Sequence, residues 1–289
     1  MSPLPLRERV RVRGIFGTFF KGSDNMKIGF IGGGNMAAAI IKGMTVQGIK
    51  DILVSEPREA RRSYLKQHYG IQTTESNKEV VSACNIIILA IKPQNMKTVL
   101  EEISGCVTDD KTVVSIAAGI TLEYMSSKLK TKKLIRVMPN TPALVQEGMT
   151  VISLCECFSD RDIAVVREIF MSIGNVIMLP EKYMNAVTAL SGSGPAFFAL
   201  FIEAMIESGI KTGLSKGDAL TLVVQTAAGT VKLLETGMST SELREMVASP
   251  GGTTAAALKI FKEKGFKDIV SAAIEAAVNR AKELAIVSH

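Results

Sequence analysis

The segment Lys27-Ile28-Gly29-Phe30-Ile31-Gly32-Gly33-Gly34-Asn35-Met36-Ala37 constrains this chain more than any other. A short apolar strand runs straight into consecutive glycines, and a helix-compatible stretch follows over about 35–46. Gly32, Gly34 and Ala37 fit the G-x-G-x-x-A fingerprint of a dinucleotide-binding β-turn-α unit. Taken alone the pattern is common; placed between a strand and a helix it carries a mechanism. Gly32 permits the tight turn, Gly34 lets backbone approach a pyrophosphate, and Ala37 lets the helix pack close to the strand. The free N–H groups of Asn35 and Met36 then face an anion at the positive end of the helix.

The same alternation continues downstream. Apolar β runs occur at 51–55, 85–90, 112–116, 133–138 and 175–179, with a charged helical stretch at 58–69. Strands alternating with helices predict an α/β fold: a doubly wound, Rossmann-like parallel-sheet domain over 26–180. After Pro180 the strands stop, and 181–289 reads as an all-α C-terminal domain. Its stretches at 196–210 and 219–234 are apolar around most of the helix, with Phe197, Phe198, Leu200, Phe201, Ile202 and Met205 in the first. Such helices need cover on several faces, which about a hundred residues cannot supply alone, so a homodimer through this domain is expected.

Residues 1–25 form a basic extension that does not fit a signal peptide and fits a transit peptide only weakly, having no long amphipathic, Ser-rich pattern. With no periodic apolar face to bury, the extension is expected to be dispensable. A chain beginning at Met26 should keep its activity and melting temperature, and a large loss of either would refute this.

Charge and composition then exclude whole classes. The net charge is +6, but 1–25 hold Arg7, Arg9, Arg11, Arg13 and Lys21 against Glu8 and Asp24, leaving +3 for the rest. So mild an excess is an ordinary solvated surface, and no nucleic-acid partner is expected. No unbroken run of 18 apolar residues exists, so no membrane partner is expected either. With only His68 and His289, a Ser-His-Asp hydrolase or a His-rich metalloenzyme is set aside. Cys84 and Cys106 read as small core residues, and Cys155-x-Cys157 lacks a second ligand pair, so no metal site is expected. The absence of a disulfide framework fits a cytoplasmic protein.

At the end of the second strand stands Ser55-Glu56-Pro57-Arg58. An acid about 20 residues beyond the glycines favours NAD, which suits Glu56. Yet Ser55, Arg58, Arg61 and Arg62 could hold the 2′-phosphate of NADP, although Arg61 and Arg62 also read as helix-surface charges. The cofactor is therefore NADP or NAD, with NADP slightly favoured.

Further motifs follow in order: Ala90-Ile91-Lys92-Pro93-Gln94, Arg136-Val137-Met138-Pro139-Asn140-Thr141-Pro142, Leu190-Ser191-Gly192-Ser193-Gly194-Pro195-Ala196 and Ser249-Pro250-Gly251-Gly252-Thr253-Thr254. In this order the chain resembles the pyrroline-5-carboxylate reductase family, from residue 26 to about 285. The resemblance implies reduction of a cyclic imine, 1-pyrroline-5-carboxylate, to L-proline, and a homodimer that can extend to a ring of dimers. It also implies residue roles. Ile31, Gly32, Gly33, Gly34, Asn35 and Met36 would bind the pyrophosphate, with Ser55, Arg58 and Asn77 at the adenosine end. Ala90, Ile91, Lys92, Pro93, Ile116, Ala117 and Ala118 would line the ribose and nicotinamide. Ser249, Gly251, Gly252, Thr253 and Thr254 would form the substrate loop, with Thr254 as the catalytic hydroxyl.

Plainer roles stand beside these. Asn77 could be only a helix N-cap, Lys92 a surface lysine, Pro93 a first-turn proline, and 191–195 a joint before a helix. Competing functions are a β-hydroxyacid-dehydrogenase-like reductase and a non-catalytic nucleotide-binding regulator. The first relies on a lysine in the helical half, and Lys211, Lys216 and Lys232 sit in no matching motif. An intact substrate loop argues against the second.

Overall fold

A computed structural model describes residues 26–154 and 160–287. The basic extension, Cys155-x-Cys157 and His289 lie outside the described residues. Eight strands form one sheet. The first half alternates strand and helix: β1 (Ile28–Ile31), α1 (Asn35–Val46), β2 (Ile52–Ser55), α2 (Glu59–Tyr69), β3 (Gln72–Thr74), α3 (Asn77–Ala83), β4 (Ile86–Leu89) and α4 (Met96–Ile103). It continues with β5 (Thr112–Ser115), α5 (Leu122–Lys128), β6 (Leu134–Met138), β7 (Gly148–Leu154), α6 (Asp160–Met171), β8 (Gly174–Met178) and the short α7 (Met184–Val187). The strand order β3-β2-β1-β4-β5-β6-β7-β8 changes direction between β1 and β4. The central strands are buried along their whole length, which explains why they read as unbroken apolar runs. One core contains α1, α6 and Leu65 of α2 against one face of the sheet; a second contains α3, α4 and α5 against the other.

Two strands were absent from the sequence expectation. β3 is the short, polar edge strand Gln-Thr-Thr. β7 runs antiparallel to β6, so the sheet is not parallel throughout. The link between them contains only a 3-10 turn (Thr141–Val145), too short for the crossover that a parallel neighbour needs. Cys84 is buried, and burial pushes its thiol up to about 11, which keeps it an inert packing group.

Beyond β8 the chain is helical: α8 (Gly194–Lys211), α9 (Lys216–Glu235), α10 (Thr240–Val247), α11 (Thr253–Glu263) and α12 (Phe266–Val287). Packing divides the described chain into two units, one of residues 196–274 and the other of the sheet portion through Pro195 together with 275–287. The turns at 181–195 stay with the sheet because buried Arg136 of β6 pairs with Glu181 at 3.1 Å, and Glu181 also accepts the Leu122 N–H at 2.8 Å. Removing one partner of a fully buried pair costs about 3–5 kcal/mol; Glu181 is partly exposed, so Glu181→Ala should cost roughly 2 kcal/mol, read as a lowered melting temperature. At the other end of the chain, the backbone of Leu284 and Ala285 lies against Gly119, where a Cβ would sit 3.2 Å from the Leu284 carbonyl carbon.

In the helical unit, Phe201, Phe261 and Phe266 cluster with ring centroids 5.2–6.4 Å apart. Outside that cluster the apolar surface is open: Phe198 is 71% exposed and Leu200 66%. Of the twenty residues of α9 only Ala219 and Val223 are buried. The helical path Glu181–Lys211 even has the length and composition of a membrane-crossing segment, a feature that counting unbroken apolar residues did not register.

Candidate active site

The carboxyl ends of the central strands form one continuous edge. Gly32 N–H donates to the Ser55 carbonyl at 2.8 Å, Ala90 N–H to Ile31 at 2.8 Å, and Ile116 N–H to Leu89 at 3.2 Å. These bonds bring the loops after β1, β2, β4 and β5 side by side at the point where the strand order reverses, which is where open α/β sheets bind nucleotides.

The glycines of the first loop divide the work. Gly32 has φ +97°, and a Cβ there would meet the Ala90 carbonyl oxygen at 2.6 Å. At Gly33 a Cβ would strike Leu65 at 2.7 Å. At Gly34 it would meet no atom within 4 Å, so the space in front of the loop is open. Gly34 is also the N-cap of α1 and makes no side-chain cap bond. The first helical bond runs from Ala38 N–H to Gly34, leaving the first-turn N–H groups without a capping side chain. In contrast α3, α5, α9 and α10 start under Ser76, Thr121, Ser215 and Ser239, each accepting a backbone N–H. The open cradle suits a pyrophosphate.

Around it the predicted residues take distinct places. Asn77 is not a cap, because Ser76 fills that position. The Asn77 side chain accepts from the Ser55 hydroxyl at 2.7 Å and donates to Glu102 at 2.8 Å. Ser55 is 1% exposed, so its hydroxyl stands behind Asn77 instead of facing a ligand. Lys92 is exposed and Pro93 begins a 3-10 turn (Pro93–Asn95), with Ala90 and Ile91 half-buried on the edge. Ile116 and Ala118 are half-buried, whereas Ala117 is buried with its N–H on the Ser115 hydroxyl at 3.3 Å.

Glu56 is 4% exposed and its carboxylate is crowded with donors. Burial raises its pKa, but hydrogen bonds from Arg58 and from the Gly33 N–H, with the guanidinium charge, outweigh that and hold the carboxyl below its ordinary range. Arg61 and Arg62 are not plain surface charges. Arg61 donates to the Gly33 carbonyl at 2.5 Å and the Gly34 carbonyl at 3.0 Å, and its guanidinium lies over Tyr64. Arg62 donates to the Glu56 and Pro57 carbonyls at 2.8 Å and pairs with Glu75. Only their position in the first turn of α2 could have hinted at this.

A further contact escaped the sequence. Asn140, after β6, accepts the Met149 N–H at 2.8 Å and donates to the Ser191 carbonyl and hydroxyl at 3.2 and 3.3 Å. Ser191 belongs to a π-helical turn (Thr188–Gly192), not a loose joint; such turns occur frequently at functional sites.

The helical unit carries the second loop. Gly251 has φ +73°, and a Cβ at Gly252 would lie 2.5 Å from the Ser249 hydroxyl. Gly252 N–H donates to the Ser249 carbonyl at 3.0 Å and Gly252 is the N-cap of α11, again without a side-chain cap bond. The first helical bond, Ala256 N–H to Gly252 at 3.2 Å, leaves the N–H groups of Thr253, Thr254 and Ala255 at an uncapped helix start. Thr254 is half-buried, and its hydroxyl is not spent on capping.

The comparisons with known proteins include several pyrroline-5-carboxylate reductases. Residues 181–284 match the family described as pyrroline-5-carboxylate reductase dimerisation, and 27–119 match NADP oxidoreductase coenzyme F420-dependent. The chain is 38% identical over 264 residues to a pyrroline-5-carboxylate reductase from Synechocystis, covering 90% of this chain and 98% of that protein. It is 39% identical to the Escherichia coli protein of that name, over 89% of this chain and 98% of that one. Among solved structures, a pyrroline-5-carboxylate reductase from Coxiella burnetii superposes with a TM-score of 0.84 at 35% identity, covering 90% of this chain and 99% of that one. The Plasmodium falciparum pyrroline carboxylate reductase, solved with NADP bound, gives 0.82 at 32% identity over 91% and 100%.

Proposed function

The chain belongs to the pyrroline-5-carboxylate reductase family and reduces 1-pyrroline-5-carboxylate to L-proline with NAD(P)H, and from that premise we propose how its own residues do so. The nicotinamide cofactor, when bound, supplies the hydride that goes to the imine carbon. The open cradle at Gly34 and the N–H groups of Asn35 and Met36 hold the pyrophosphate. Asn77 lies at the adenosine end, while Ala90, Ile91, Lys92 and Pro93 with Ile116, Ala117 and Ala118 line the ribose and nicotinamide. At the second loop, the N–H groups from Gly251 to Thr254 take the substrate carboxylate, and the glycines let backbone come close. The Thr254 hydroxyl hydrogen-bonds the imine nitrogen.

A protonated imine is already a good electrophile, so a chain with two histidines needs no strong side-chain acid. Most of the acceleration comes from holding two reactants in register. The observation that carries this reading is the pair of glycine-started, uncapped helices, α1 and α11, one for each anionic reactant. A steady-state assay with 1-pyrroline-5-carboxylate and each reduced cofactor tests it; a folded protein with no turnover on either would overturn it.

The apolar surface of the helical unit is the dimer interface, and the dimers assemble further into a ring. The enzyme works in the cytoplasm, with free thiols at Cys84 and Cys106 and no nucleic-acid or membrane partner. Light scattering at micromolar concentration should give the mass of a dimer or a multiple of it. A folded, active monomer would defeat the interface, and a dimer alone would defeat the ring.

A further inference from the structure

We propose that Arg58 is the residue that selects NADPH over NADH, and that Glu56 is not the ribose acceptor its position suggests but the anchor that holds Arg58 in place. This rests on the nucleotide site being the one read above. A carboxylate at the end of β2 ordinarily accepts the ribose 2′-hydroxyl of NAD. Here that carboxylate is full. Its Oε2 accepts the Gly33 N–H at 3.1 Å and Arg58 Nη2 at 3.3 Å; its Oε1 accepts the Arg58 backbone N–H at 3.2 Å and Arg58 Nε at 2.7 Å. A carboxylate offers about four acceptor sites, and four donors occupy them. Nothing remains for a ribose hydroxyl unless a bond is broken.

The cations divide just as sharply. Ser55 turns its hydroxyl inward to Asn77, Arg61 grips the loop carbonyls, and Arg62 is tied to Glu56, Pro57 and Glu75. Arg58 differs: its side chain is 69% exposed although it is bonded along one edge. A guanidinium carries five N–H groups, and only Nε and one Nη2 hydrogen are engaged with the Glu56 carboxylate. The outer edge therefore faces solvent in a fixed orientation, which is the geometry that recognises a phosphate through a planar fork. Holding the fork in advance lowers the ordering cost of binding. Glu59, exposed in the first turn of α2, is the acid that opposes a phosphate here, and Arg58 is placed to offset it.

The test separates 2′-phosphate recognition from turnover. Calorimetry on the full chain would measure Kd for adenosine 2′,5′-bisphosphate and for 5′-AMP. The wild type should bind the bisphosphate more tightly. In Arg58→Gln the bisphosphate should weaken about 10- to 100-fold while AMP changes by less than about twofold, because a charge-assisted bond is lost from one ligand only. Glu56→Gln should move the ratio in the same direction by less, with both melting temperatures recorded. Kinetic ratios for NADPH over NADH should follow. An unchanged ratio in a folded Arg58→Gln protein overturns the proposal, as does a rise in bisphosphate preference in Glu56→Gln, the result expected of a true ribose acceptor. If neither probe binds the wild type, the nucleotide site itself is misplaced and this proposal falls with it.

Discussion

Gly34→Val is expected to weaken NAD(P)H binding by on the order of 100-fold or more while leaving the protein folded. A Cβ at this position meets no protein atom within 4 Å, and φ is −65°, a value any residue adopts. The added branches therefore project into the open space in front of the loop, where the pyrophosphate is proposed to sit. Each backbone hydrogen bond to a charged group is worth about 1.5–3 kcal/mol, so displacing the anion from one or two N–H groups accounts for the loss. Gly32→Val would not test the same thing. It would drive a Cβ into the Ala90 carbonyl and force φ +97° on a branched residue, so misfolding would obscure the result. Fluorescence titration of a variant with a wild-type melting curve decides the matter; near-normal affinity would remove the loop from the cofactor site.

Thr254→Val is expected to lower kcat/KM by roughly 10- to 1,000-fold, the range for one positioned hydrogen bond or proton transfer. Valine keeps the shape and removes the hydroxyl. If the bond strengthens in the transition state, kcat carries the loss; a bond equally strong in the ground state would raise KM alone. The N-cap of α11 is Gly252, so the variant does not lose a cap, and stability should change by less than the ~1 kcal/mol that cap loss costs. Cofactor affinity should hardly move. Wild-type kinetics in a folded variant would shift the search to Ser249 or to bound water.

Much of the scaffold was legible because the physics is local. β1, the glycines and α1 follow from a buried strand, a turn only glycine tolerates, and an Ala-rich helix. The all-round apolar character of α8 and α9 forecast a covered surface that a single chain leaves open. β3 escaped because a polar three-residue edge strand has no periodic signature, and the reversal at β7 because strand direction depends on the neighbour chosen, not on the strand's own residues. At the site, spacing identified Glu56 and Arg58 but could not say which atoms each would occupy. Two positions apart in sequence, they look like rivals for the ribose; in space they are bonded to each other. Likewise Arg61 reads in sequence as a solvated helix charge, but in space its guanidinium donates to the Gly33 and Gly34 carbonyls.

The contact of Leu284 and Ala285 with Gly119 has a consequence for how the chain matures on the ribosome. Gly119 belongs to the turn after β5, next to Ala117 and Ala118 in the chain, and it is synthesised early. Its packing partner lies at the far end of α12 and is synthesised much later. A nascent chain can therefore assemble the sheet as its strands emerge, since units of a chain fold during synthesis at about 5–20 residues per second. This turn stays bare until the end of α12 is released. Translation that stops before the end of α12 leaves this turn uncovered, so that edge of the sheet is completed only after the helical half has been made.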